Sequence, residues 1–382
     1  MPAVTENHSE RIVTVLLGEQ SYDIIIGSDV ISSAGGRLRD WMEKRCGGAV
    51  SRGTCLIVTD ANVSRHADAI ASVLEAAGWR CERYEIEPGE TSKRLEVVSA
   101  GWDRLVEMQA DRQTVVVAVG GGVVGDAAGF IAAAFARGVP FVQIPTTLLA
   151  DVDSSVGGKV GINHPRAKNL IGAFHQPIGV LIDLRMLETL PDREYRAGLA
   201  EVVKYGMILD AAFFEYLERN VTEINCRDPQ TVTYLISRSC ELKSQVVEED
   251  EFETTGLRAI LNFGHTFAHA FEALSGYESL LHGEAVSVGM VYACRLAEYC
   301  GRTDATLTAR LVSLLEALHL PVNVSEPGRW NAKEILGRMQ LDKKTVQGTL
   351  RFVLPNRLGE MELVKGVPEE LVLKALQTGG IE

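Results

Sequence analysis

Three histidines with spacing suited to metal binding lie in the stretch 258–290, RAILNFGHTFAHAFEALSGYESLLHGEAVSVGM. His265 and His269 are four residues apart in a run with helical spacing, so they share one helical face about a turn apart. His282 follows a short loop and opens another apolar run, as at a helix start. Two or three imidazoles and a carboxylate at one point suit a divalent metal. The alternative is ordinary core or surface histidines, since the stretch lacks the glutamate of H-E-x-x-H zinc sites.

A carboxylate and an ammonium group lie one turn apart on an otherwise apolar helix in RAGLAEVVKYG, residues 196–206. The carboxylate, Glu201, is either a core charge paired with Lys204 or a metal ligand. More polar donors follow in the second half of the chain: Lys243, Arg258, Asn262 and the neighbours Lys343 and Lys344. Several cations in an acidic protein indicate an anionic substrate, although charge runs more often lie on a solvated face.

The segment from Gly120 to Gly125 matches the spacing G-x-G-x-x-G between a β-branched strand, 114–119, and an Ala-rich helix. Backbone amides at the start of such a helix would hold a pyrophosphate group. The match follows a later strand rather than the first one, and no acidic residue stands at the usual ribose position downstream. A plain strand–helix turn is therefore the alternative.

Polar residues also follow three other predicted strands: Asp60 and Asn62, Glu90 and Lys93, and Thr146 and Thr147. Because the carboxyl ends of parallel strands open on one edge of a sheet, we expect these side chains along the edge where α/β proteins bind ligands. This second polar set favours nucleotide binding at the glycine segment.

A Gly- and Ser-rich segment, 151–168, follows these strands and is predicted to be irregular. It contains Asp153 and Lys159, ends at Lys168 and is followed by Asn169. Glycines allow close approach of the backbone, and lysines suit phosphate. The alternative is a solvated loop.

Strands and helices alternate in the first half of the chain. The predicted strands are two within 12–26, then 54–58, 81–87, 114–119, 139–144 and 178–183, with helices at 30–44, 64–78, 92–110 and after 125. Later segments have helical spacing: 192–218, 228–249, 258–275, 283–300, 304–318 and 331–340, with a two-strand element within 349–364. We predict a doubly wound α/β domain at 1–184 and an all-α domain at 185–382.

The composition limits the class of protein. The 382 residues are 46% hydrophobic and carry a formal net charge of −13, so nucleic acid is not an expected partner. The longest apolar run, 127–136, is too short to span a bilayer, and the polar N-terminal segment lacks a signal-peptide core. Seven scattered cysteines without C-x-x-C indicate reduced thiols. We expect a cytoplasmic protein without a membrane partner.

Several long strings together resemble the 3-dehydroquinate synthase family of sugar phosphate cyclases: GGGVVGD, IPTTLLADVDSSVGGKVGIN, KNLIGAFHQP, AEVVKYG, LRAILNFGHTFAHAFE and HGEAVSVGM. The resemblance runs from residue 54 to 355 and is far more specific than any single motif. It implies an N-terminal NAD-binding α/β domain, a C-terminal helical domain that binds metal and substrate, and a homodimer.

The resemblance makes Glu201, His265 and His282 the ligands of one divalent metal, Zn²⁺ first and Co²⁺ second. It turns His269 toward the substrate or its phosphate, whereas spacing alone would put both histidines of the H-x-x-x-H pair on the metal. The NAD contacts that it implies are Asp60, Asn62, Pro88, Gly89, Glu90, Thr91, Ser92, Lys93, Gly121, Gly122, Val123, Val124, Gly125, Asp126, Thr146, Thr147, Lys159, Lys168, Met186, Leu187, Glu188 and Thr189. The catalytic and substrate contacts that it implies are Arg137, Asp153, Lys159, Asn169, Lys204, Lys243, Arg258, Asn262, His269 and one of Lys343 or Lys344.

The implied activity is conversion of 3-deoxy-D-arabino-heptulosonate 7-phosphate to 3-dehydroquinate and phosphate, in the shikimate pathway to chorismate and the aromatic amino acids. Bound NAD⁺ oxidises a ring hydroxyl, phosphate is eliminated, the ketone is reduced again, and the opened ring closes by aldol addition. The net reaction is that of a carbon–oxygen lyase.

Three alternatives stay open. One is another cyclase of the superfamily, acting on glucose 6-phosphate or a seven-carbon sugar phosphate. The second is a metal-dependent polyol dehydrogenase of the same fold, which would release NADH. The third is a nucleotide-binding regulatory module, which would not need Glu201, Lys204 and three histidines together.

Overall fold

The computed structural model describes residues 10–47, 53–165, 167–275, 280–324, 330–343 and 350–381. The chain divides into two compact units. The first is Met1–Pro191 with Thr233–Glu248, and the second is Asp192–Val232 with Glu249–Glu382. Part of one long helix therefore belongs to the first unit, although it lies well beyond residue 184, where the predicted α/β domain ends.

The first unit is built on an open, mostly parallel sheet. Its strands are β1 (Arg11–Val15), β2 (Tyr22–Gly27), β3 (Thr54–Asp60), β4 (Arg80–Ile86), β5 (Val115–Gly120), β6 (Phe141–Pro145), β7 (Lys159–His164), β8 (Ala167–Phe174) and β9 (Gly179–Asp183). Seven of them, within the described ranges, pair in the order β1-β2-β9-β6-β5-β3-β4. Strand β1 is antiparallel to β2, and the other neighbours are parallel.

Helices cover both faces of this sheet: α1 (Ala34–Cys46), α2 (Ser64–Ala76), α3 (Leu95–Glu107) and α4 (Gly122–Ala134). Strand β5 is buried throughout. Val117 packs in a cluster with residues of α1 and α2, whereas Val116 packs in a cluster with residues of α3 and α4. Successive strand residues point to opposite faces, so a continuous apolar run needs helices on both sides. The predicted doubly wound α/β architecture is confirmed.

The segment 151–168 was predicted to be irregular, and this prediction was wrong. A helical turn, Ala150–Ser154, is followed by an antiparallel hairpin of β7 and β8. Gly161 faces Gly172 across this hairpin. A Cβ atom at Gly161 would lie 2.5 Å from the carbonyl oxygen of Ile171. The glycines therefore allow two backbones to approach closely, a long-range requirement that local composition does not reveal.

From residue 192 onward the chain is mainly helical. The helices are α5 (Asp192–Leu209), α6 (Ala211–Arg219), α7 (Val221–Asn225), α8 (Pro229–Glu249), α9 (His265–Leu274), α10 (His282–Tyr299), α11 (Ala305–Ala317), α12 (Ala332–Lys343) and α13 (Glu369–Thr378). Strands β10 (Arg351–Arg357) and β11 (Glu360–Lys365) form the two-strand element predicted there. The central helix is α10, which is mostly buried and packs against α5, α9, α11 and α13.

The predicted helix at 258–275 is interrupted. A 3-10 segment, Leu257–Asn262, comes first, and α9 begins only at His265. Gly264 lies between them with a φ of +80°, a left-handed conformation that favours glycine. The prediction of one continuous helix was wrong because the backbone leaves the helical conformation at Phe263, and Gly264 is the N-cap of α9.

In the described ranges, no helix combines the length and the apolar character that crossing a membrane requires.

Candidate functional site

Three side chains from three helices of the second unit converge on one point. Glu201 lies on α5, His265 opens α9, and His282 opens α10. The Nε2 atoms of His265 and His282 lie 3.6 and 3.7 Å from Oε1 of Glu201. One ligand atom from each residue lies within 4.8 Å of the other two, and the structure shows no other such group among the residues it describes.

This cluster fits a divalent ion such as Zn²⁺. One carboxylate and two imidazoles are a known donor set of catalytic zinc sites, which keep a further position open. Ligand atoms about 2.1 Å from a tetrahedral ion lie about 3.4 Å from one another. The two nitrogen–oxygen distances in the cluster, 3.6 and 3.7 Å, are close to that value. Small side-chain movements would therefore suffice for coordination.

Glycines bring the three helices close enough for these side chains to meet. A Cβ atom at Gly283, beside His282, would lie 1.8 Å from the backbone oxygen of Ala197 on α5. A Cβ atom at Gly289 on α10 would lie 2.2 Å from the backbone oxygen of Gly264, next to the start of α9. Both contacts involve backbone atoms, which cannot move aside by changing rotamer. The sequence HGEAVSVGM thus encodes the helix spacing on which the cluster depends.

We expect Gly283→Ala to unfold more readily than the wild-type protein and to bind Zn²⁺ weakly. The added methyl group overlaps backbone, so the cost should reach the upper end of the overpacking range, about 3 kcal/mol. Urea denaturation and a Zn²⁺ competition titration measure both effects. The control is Gly337→Ala on α12, where a Cβ atom would meet nothing within 4 Å. Equal stability of the two variants would contradict the close-packing argument.

The two histidines of the cluster have pKa values shifted in opposite directions. Burial and the nearby charge of Lys204 lower the pKa of His265 to about 3. Burial also acts to lower the pKa of His282, but hydrogen bonds to the carboxylates of Glu201 and Glu272 outweigh it and raise the pKa to about 10. Only neutral imidazole binds a metal, so His265 is ready to coordinate and metal binding would release a proton from His282.

His269 lies beside the cluster but outside it. Its ring centroid is 5.6 Å from that of His265, with the two rings nearly perpendicular. The side chain is exposed, whereas His265 is buried. Among the described residues, the group of converging ligand atoms contains His265 and His282 but not His269. This arrangement agrees with a substrate-facing His269, which stays a prediction.

Two predicted substrate-binding cations of the second unit are buried. Lys204 is 1% exposed, and its ammonium group pairs with the carboxylate of Glu201. Arg258 is 2% exposed, and its Nη1 donates to the backbone oxygen of Glu251 at 2.7 Å. The backbone N–H of Arg258 donates to Oδ2 of Asp250 at 3.1 Å. Lys204 is therefore adjacent to the candidate metal site, and Arg258 is held by hydrogen bonds to Asp250 and Glu251.

Three other predicted residues belong to this unit. Asn262 is exposed at the end of the 3-10 segment. Lys343 is the last residue of α12, and Lys344 lies outside the described residues. The choice between these two lysines therefore stays open.

In the first unit the glycine turn joins β5 to α4, which begins at Gly122. A Cβ atom at Gly122 would lie 3.1 Å from Oγ of Ser154, and one at Gly121 would lie 3.2 Å from Cγ2 of Thr147. Oγ1 of Thr146 and Oγ of Ser154 are buried and lack a hydrogen-bond partner within the described part of the chain. A bound nucleotide phosphate would fit this turn, because the helix start supplies backbone amides and the hydroxyl groups supply further donors.

The remaining predicted NAD contacts follow neighbouring strands of the sheet. Strands β9, β6, β5 and β3 are adjacent. The segment Leu184–Thr189 follows β9, Thr146 follows β6, and Gly121 follows β5. Asp60 is the last residue of β3. Oδ1 of Asp60 accepts a hydrogen bond from the backbone N–H of Asn62 at 2.9 Å. The sheet order thus brings residues that are far apart in sequence to one edge. Val123, Val124, Gly125 and Asp126 follow in the first turns of α4.

A buried lysine joins this edge to the hairpin. Nζ of Lys93 lies 2.6 Å from Oδ2 of Asp126 and 3.7 Å from Oε1 of Glu90, and it also donates to Oδ1 of Asn169. Burial lowers the pKa of Lys93, but the charges of Asp126 and Glu90 outweigh that effect and raise it. Asn163, which sequence reasoning missed, donates to Oε1 of Glu90 at 2.7 Å and accepts from the backbone N–H of Asn169 at 2.8 Å.

A second charged pair links two predicted catalytic residues. Nζ of Lys243 on α8 lies 2.5 Å from Oδ1 of Asp153 and 2.7 Å from its backbone oxygen. Lys243 is buried, and Asp153 lies in the turn before the hairpin. The pairing is one of the contacts that join this part of α8 to the first unit. Lys159 opens β7, and Lys168 lies in β8.

Arg137 lies away from the glycine turn, beyond the other end of α4. It follows the C-terminal end of α4, with a left-handed φ of +68°. The helix has 13 residues, which places Arg137 about 20 Å from the glycine turn at its other end.

Glu272 is a residue of the second unit that sequence reasoning also missed. Its Oε1 lies 3.3 Å from Nδ1 of His282. The available signal was a lone carboxylate on the apolar helix HTFAHAFEAL, which requires a buried partner.

Two family models match consecutive parts of this chain. The model described as 3-dehydroquinate synthase N-terminal matches residues 83–197, and the model described as 3-dehydroquinate synthase C-terminal matches residues 198–345. Together they span more than half of the 382 residues. All six strings on which the resemblance rests lie within these limits.

Solved structures of sugar phosphate cyclases are similar over nearly the whole chain. A 2-epi-5-epi-valiolone synthase from Streptomyces hygroscopicus subsp. jinggangensis 5008, with NAD⁺ and Zn²⁺ bound, has a TM-score of 0.84 and 29% identity over 95% of this chain and 98% of that one. A 2-deoxy-scyllo-inosose synthase complexed with carbaglucose-6-phosphate, NAD⁺ and Co²⁺ has a TM-score of 0.84 and 25% identity over 97% of this chain and 100% of that one.

A maleylacetate reductase from Agrobacterium tumefaciens shares the fold alone, with a TM-score of 0.62 and 15% identity over 94% of this chain and 96% of that one. The predicted family rests instead on the two consecutive matches and on the more similar cyclases. The chain belongs to the 3-dehydroquinate synthase family of the sugar phosphate cyclases.

Proposed function

We propose that this protein is a 3-dehydroquinate synthase that converts 3-deoxy-D-arabino-heptulosonate 7-phosphate to 3-dehydroquinate and phosphate, with NAD⁺ and one divalent metal. The observation that carries the proposal is the cluster of Glu201, His265 and His282, within the part of the chain that the C-terminal family model matches. A regulatory nucleotide-binding module would not need this cluster.

The reaction requires a polarised hydroxyl group, a hydride acceptor and a firmly held phosphate. A bound metal would supply Lewis acidity toward a substrate hydroxyl group, and bound NAD⁺ would supply the hydride acceptor. The protein's own residues bind the anionic substrate and restrict it to a reactive geometry. Zn²⁺ is the proposed ion and Co²⁺ the second choice, since one of the two similar cyclases has NAD⁺ and Zn²⁺ bound and the other has NAD⁺ and Co²⁺.

Several donors of the chain suit an anionic sugar phosphate. Lys204 pairs with the ligand Glu201 and so places a positive charge beside the cluster, where a substrate hydroxyl group would bind. Arg258 and His269 add donors in the same unit, and the resemblance assigns Lys159 and Arg137 to the phosphate. Charge-assisted hydrogen bonds of this kind are roughly twice as strong as neutral ones. We assign the proton acceptor of the elimination to the departing phosphate, which these residues hold in place.

Another sugar phosphate cyclase activity is the second candidate. It is favoured by the 2-epi-5-epi-valiolone synthase and the 2-deoxy-scyllo-inosose synthase, which match 95% and 97% of this chain. These two enzymes share the fold of this chain, and both bind NAD⁺. The two candidates differ in the sugar phosphate that they accept.

The deciding experiment incubates the protein with NAD⁺ and Zn²⁺ and one substrate at a time: the heptulosonate 7-phosphate, a seven-carbon ketose phosphate, or glucose 6-phosphate. We expect phosphate release and a product with the mass of 3-dehydroquinate from the first substrate only, without net formation of NADH. If only another sugar phosphate is turned over, the protein has the second candidate function instead. Steady accumulation of NADH would identify a dehydrogenase instead.

We further propose a cytoplasmic homodimer that acts in the shikimate pathway. The family resemblance supports the dimer and the pathway, and the scattered cysteines support a reducing compartment. Light scattering of the purified full chain tests the dimer, and a mass corresponding to one chain of 41.6 kDa would refute it.

A further inference from the structure

The two histidines of the cluster differ in what faces their second ring nitrogen. Nδ1 of His265 lies 3.1 Å from the backbone oxygen of Phe263, two residues earlier in the chain. Nδ1 of His282 lies 3.3 Å from Oε1 of Glu272, a side chain on another helix. The orientation of His265 is thus held locally, whereas that of His282 depends on a tertiary contact with α9.

Glu272 is well placed for that contact. It is 4% exposed and lies on α9, two turns beyond His265, among the apolar residues of the helix. A buried carboxylate is costly unless it accepts hydrogen bonds. The carboxylate of Glu272 lies on the Nδ1 side of the His282 ring, outside the cluster, whereas Oε1 of Glu201 lies on the Nε2 side, 3.7 Å from Nε2.

This geometry bears on how His282 can bind a metal. A neutral imidazole carries one proton, so the nitrogen that donates its lone pair to a metal leaves the proton on the other nitrogen. A hydrogen-bond acceptor at that second nitrogen selects the tautomer, orients the ring and increases the basicity of the ligand. The backbone oxygen of Phe263 meets this requirement for His265, and the carboxylate of Glu272 meets it for His282.

We propose that Glu272 is a positioning residue of the metal site: it accepts the Nδ1 proton of His282 and thereby directs Nε2 toward the ion. This inference rests on the proposed metal cluster and extends it beyond the three ligands. It also excludes Glu272 as a fourth ligand, because the carboxylate lies behind the ring rather than among the converging atoms of the described residues.

The test compares Glu272→Leu with Glu272→Gln in the full chain. Leucine keeps the apolar packing of α9 but removes the acceptor, whereas the glutamine amide oxygen still accepts from Nδ1 but lacks the charge. We expect Glu272→Leu to weaken Zn²⁺ binding by about 10- to 100-fold, as for other lost outer-shell partners. Glu272→Gln should retain most of the affinity. A chromophoric chelator that competes for Zn²⁺ gives both constants without substrate.

Two further measurements separate orientation from general destabilisation. The matched control is Glu298→Leu on α10, since Glu298 accepts from the hydroxyl group of Thr308 and does not contact the cluster. It should bind Zn²⁺ as the wild-type protein does. The ¹⁵N spectrum of histidine-labelled, Zn²⁺-loaded protein should show a protonated Nδ1 on His282 in the wild type and a shifted resonance in Glu272→Leu.

Wild-type Zn²⁺ affinity in a folded Glu272→Leu protein would overturn the inference, as would an equal loss in Glu298→Leu. Failure of the proposed metal site gives a different result, because His265→Ala would then bind Zn²⁺ as tightly as the wild-type protein. The His265→Ala variant therefore belongs in the same titration.

Discussion

Replacement of His265 by alanine is expected to remove bound metal and turnover together. His265 supplies one of three converging ligand atoms, and its neutral, buried imidazole is ready to coordinate. Loss of a ligand should exceed the roughly 10- to 100-fold cost in affinity that follows loss of an outer-shell partner. Metal content after dialysis, Zn²⁺ competition and phosphate release from the heptulosonate phosphate measure the two losses in one preparation.

Glu201→Ala should give the same double loss, but with lower stability. The carboxylate of Glu201 pairs with Lys204, and both side chains are almost completely buried. Breaking a buried pair by removing one partner typically costs about 3–5 kcal/mol. The histidine variant is therefore the cleaner probe of the ligand assignment.

His269→Ala is the matched control, because it removes an imidazole from the same helix one turn away. We expect it to retain Zn²⁺ with wild-type affinity and to lose rate, since His269 is assigned to the substrate phosphate. If His269→Ala loses the metal while His265→Ala keeps it, the ligand assignment is wrong. Metal loss in both variants would instead support the interpretation from spacing alone, in which His265 and His269 both bind the metal.

The three converging side chains Glu201, His265 and His282 illustrate how far the sequence could predict the site. The spacing in H-x-x-x-H correctly indicated a histidine-rich helix, but spacing within one helix cannot show which ring meets a carboxylate on another. Glu201 lies 64 residues before His265, and only the packing of α5 against α10 brings it there. The family resemblance predicted that Glu201 and His265 bind the same ion, because a resemblance compares whole chains rather than the spacing within one helix.

The errors in the predicted fold share one physical origin. Strands β7 and β8 are built on a glycine–glycine pair across the hairpin, and the left-handed backbone of Gly264 separates the 3-10 segment from α9. Both effects depend on long-range packing or on a single φ angle, neither of which hydrophobic periodicity reports. By contrast, β5 was predicted well because its fully apolar run needs two covered faces.

Glu272 and Asn163 were missed for another reason. Each acts by holding a predicted residue, His282 in one case and Asn169 in the other. A residue that supports another through one hydrogen bond leaves no spacing pattern in the sequence. Such residues become visible only when the hydrogen bonds of the site are followed outward.

The second large effect is expected at the glycine turn: Gly122→Val should lose NAD⁺ binding while its Zn²⁺ affinity stays unchanged. A Cβ atom at Gly122 would already lie 3.1 Å from Oγ of Ser154, so valine fills the space beside the amides that open α4. Hydrogen bonds to charged groups contribute roughly 1.5–3 kcal/mol each. Loss of one or two of them weakens NAD⁺ binding by at least about 10- to 100-fold.

Gly36→Val in α1 controls for the substitution itself, because a Cβ atom there would meet nothing within 4 Å and the position is exposed. Isothermal titration with NAD⁺ and the Zn²⁺ competition titration are run on both variants. Gly122→Val should lose only NAD⁺ binding, and His265→Ala should lose only Zn²⁺ binding, since Gly122 and His265 belong to different compact units. If folded Gly122→Val binds NAD⁺ as Gly36→Val does, the glycine segment is a plain strand–helix turn and the nucleotide binds elsewhere.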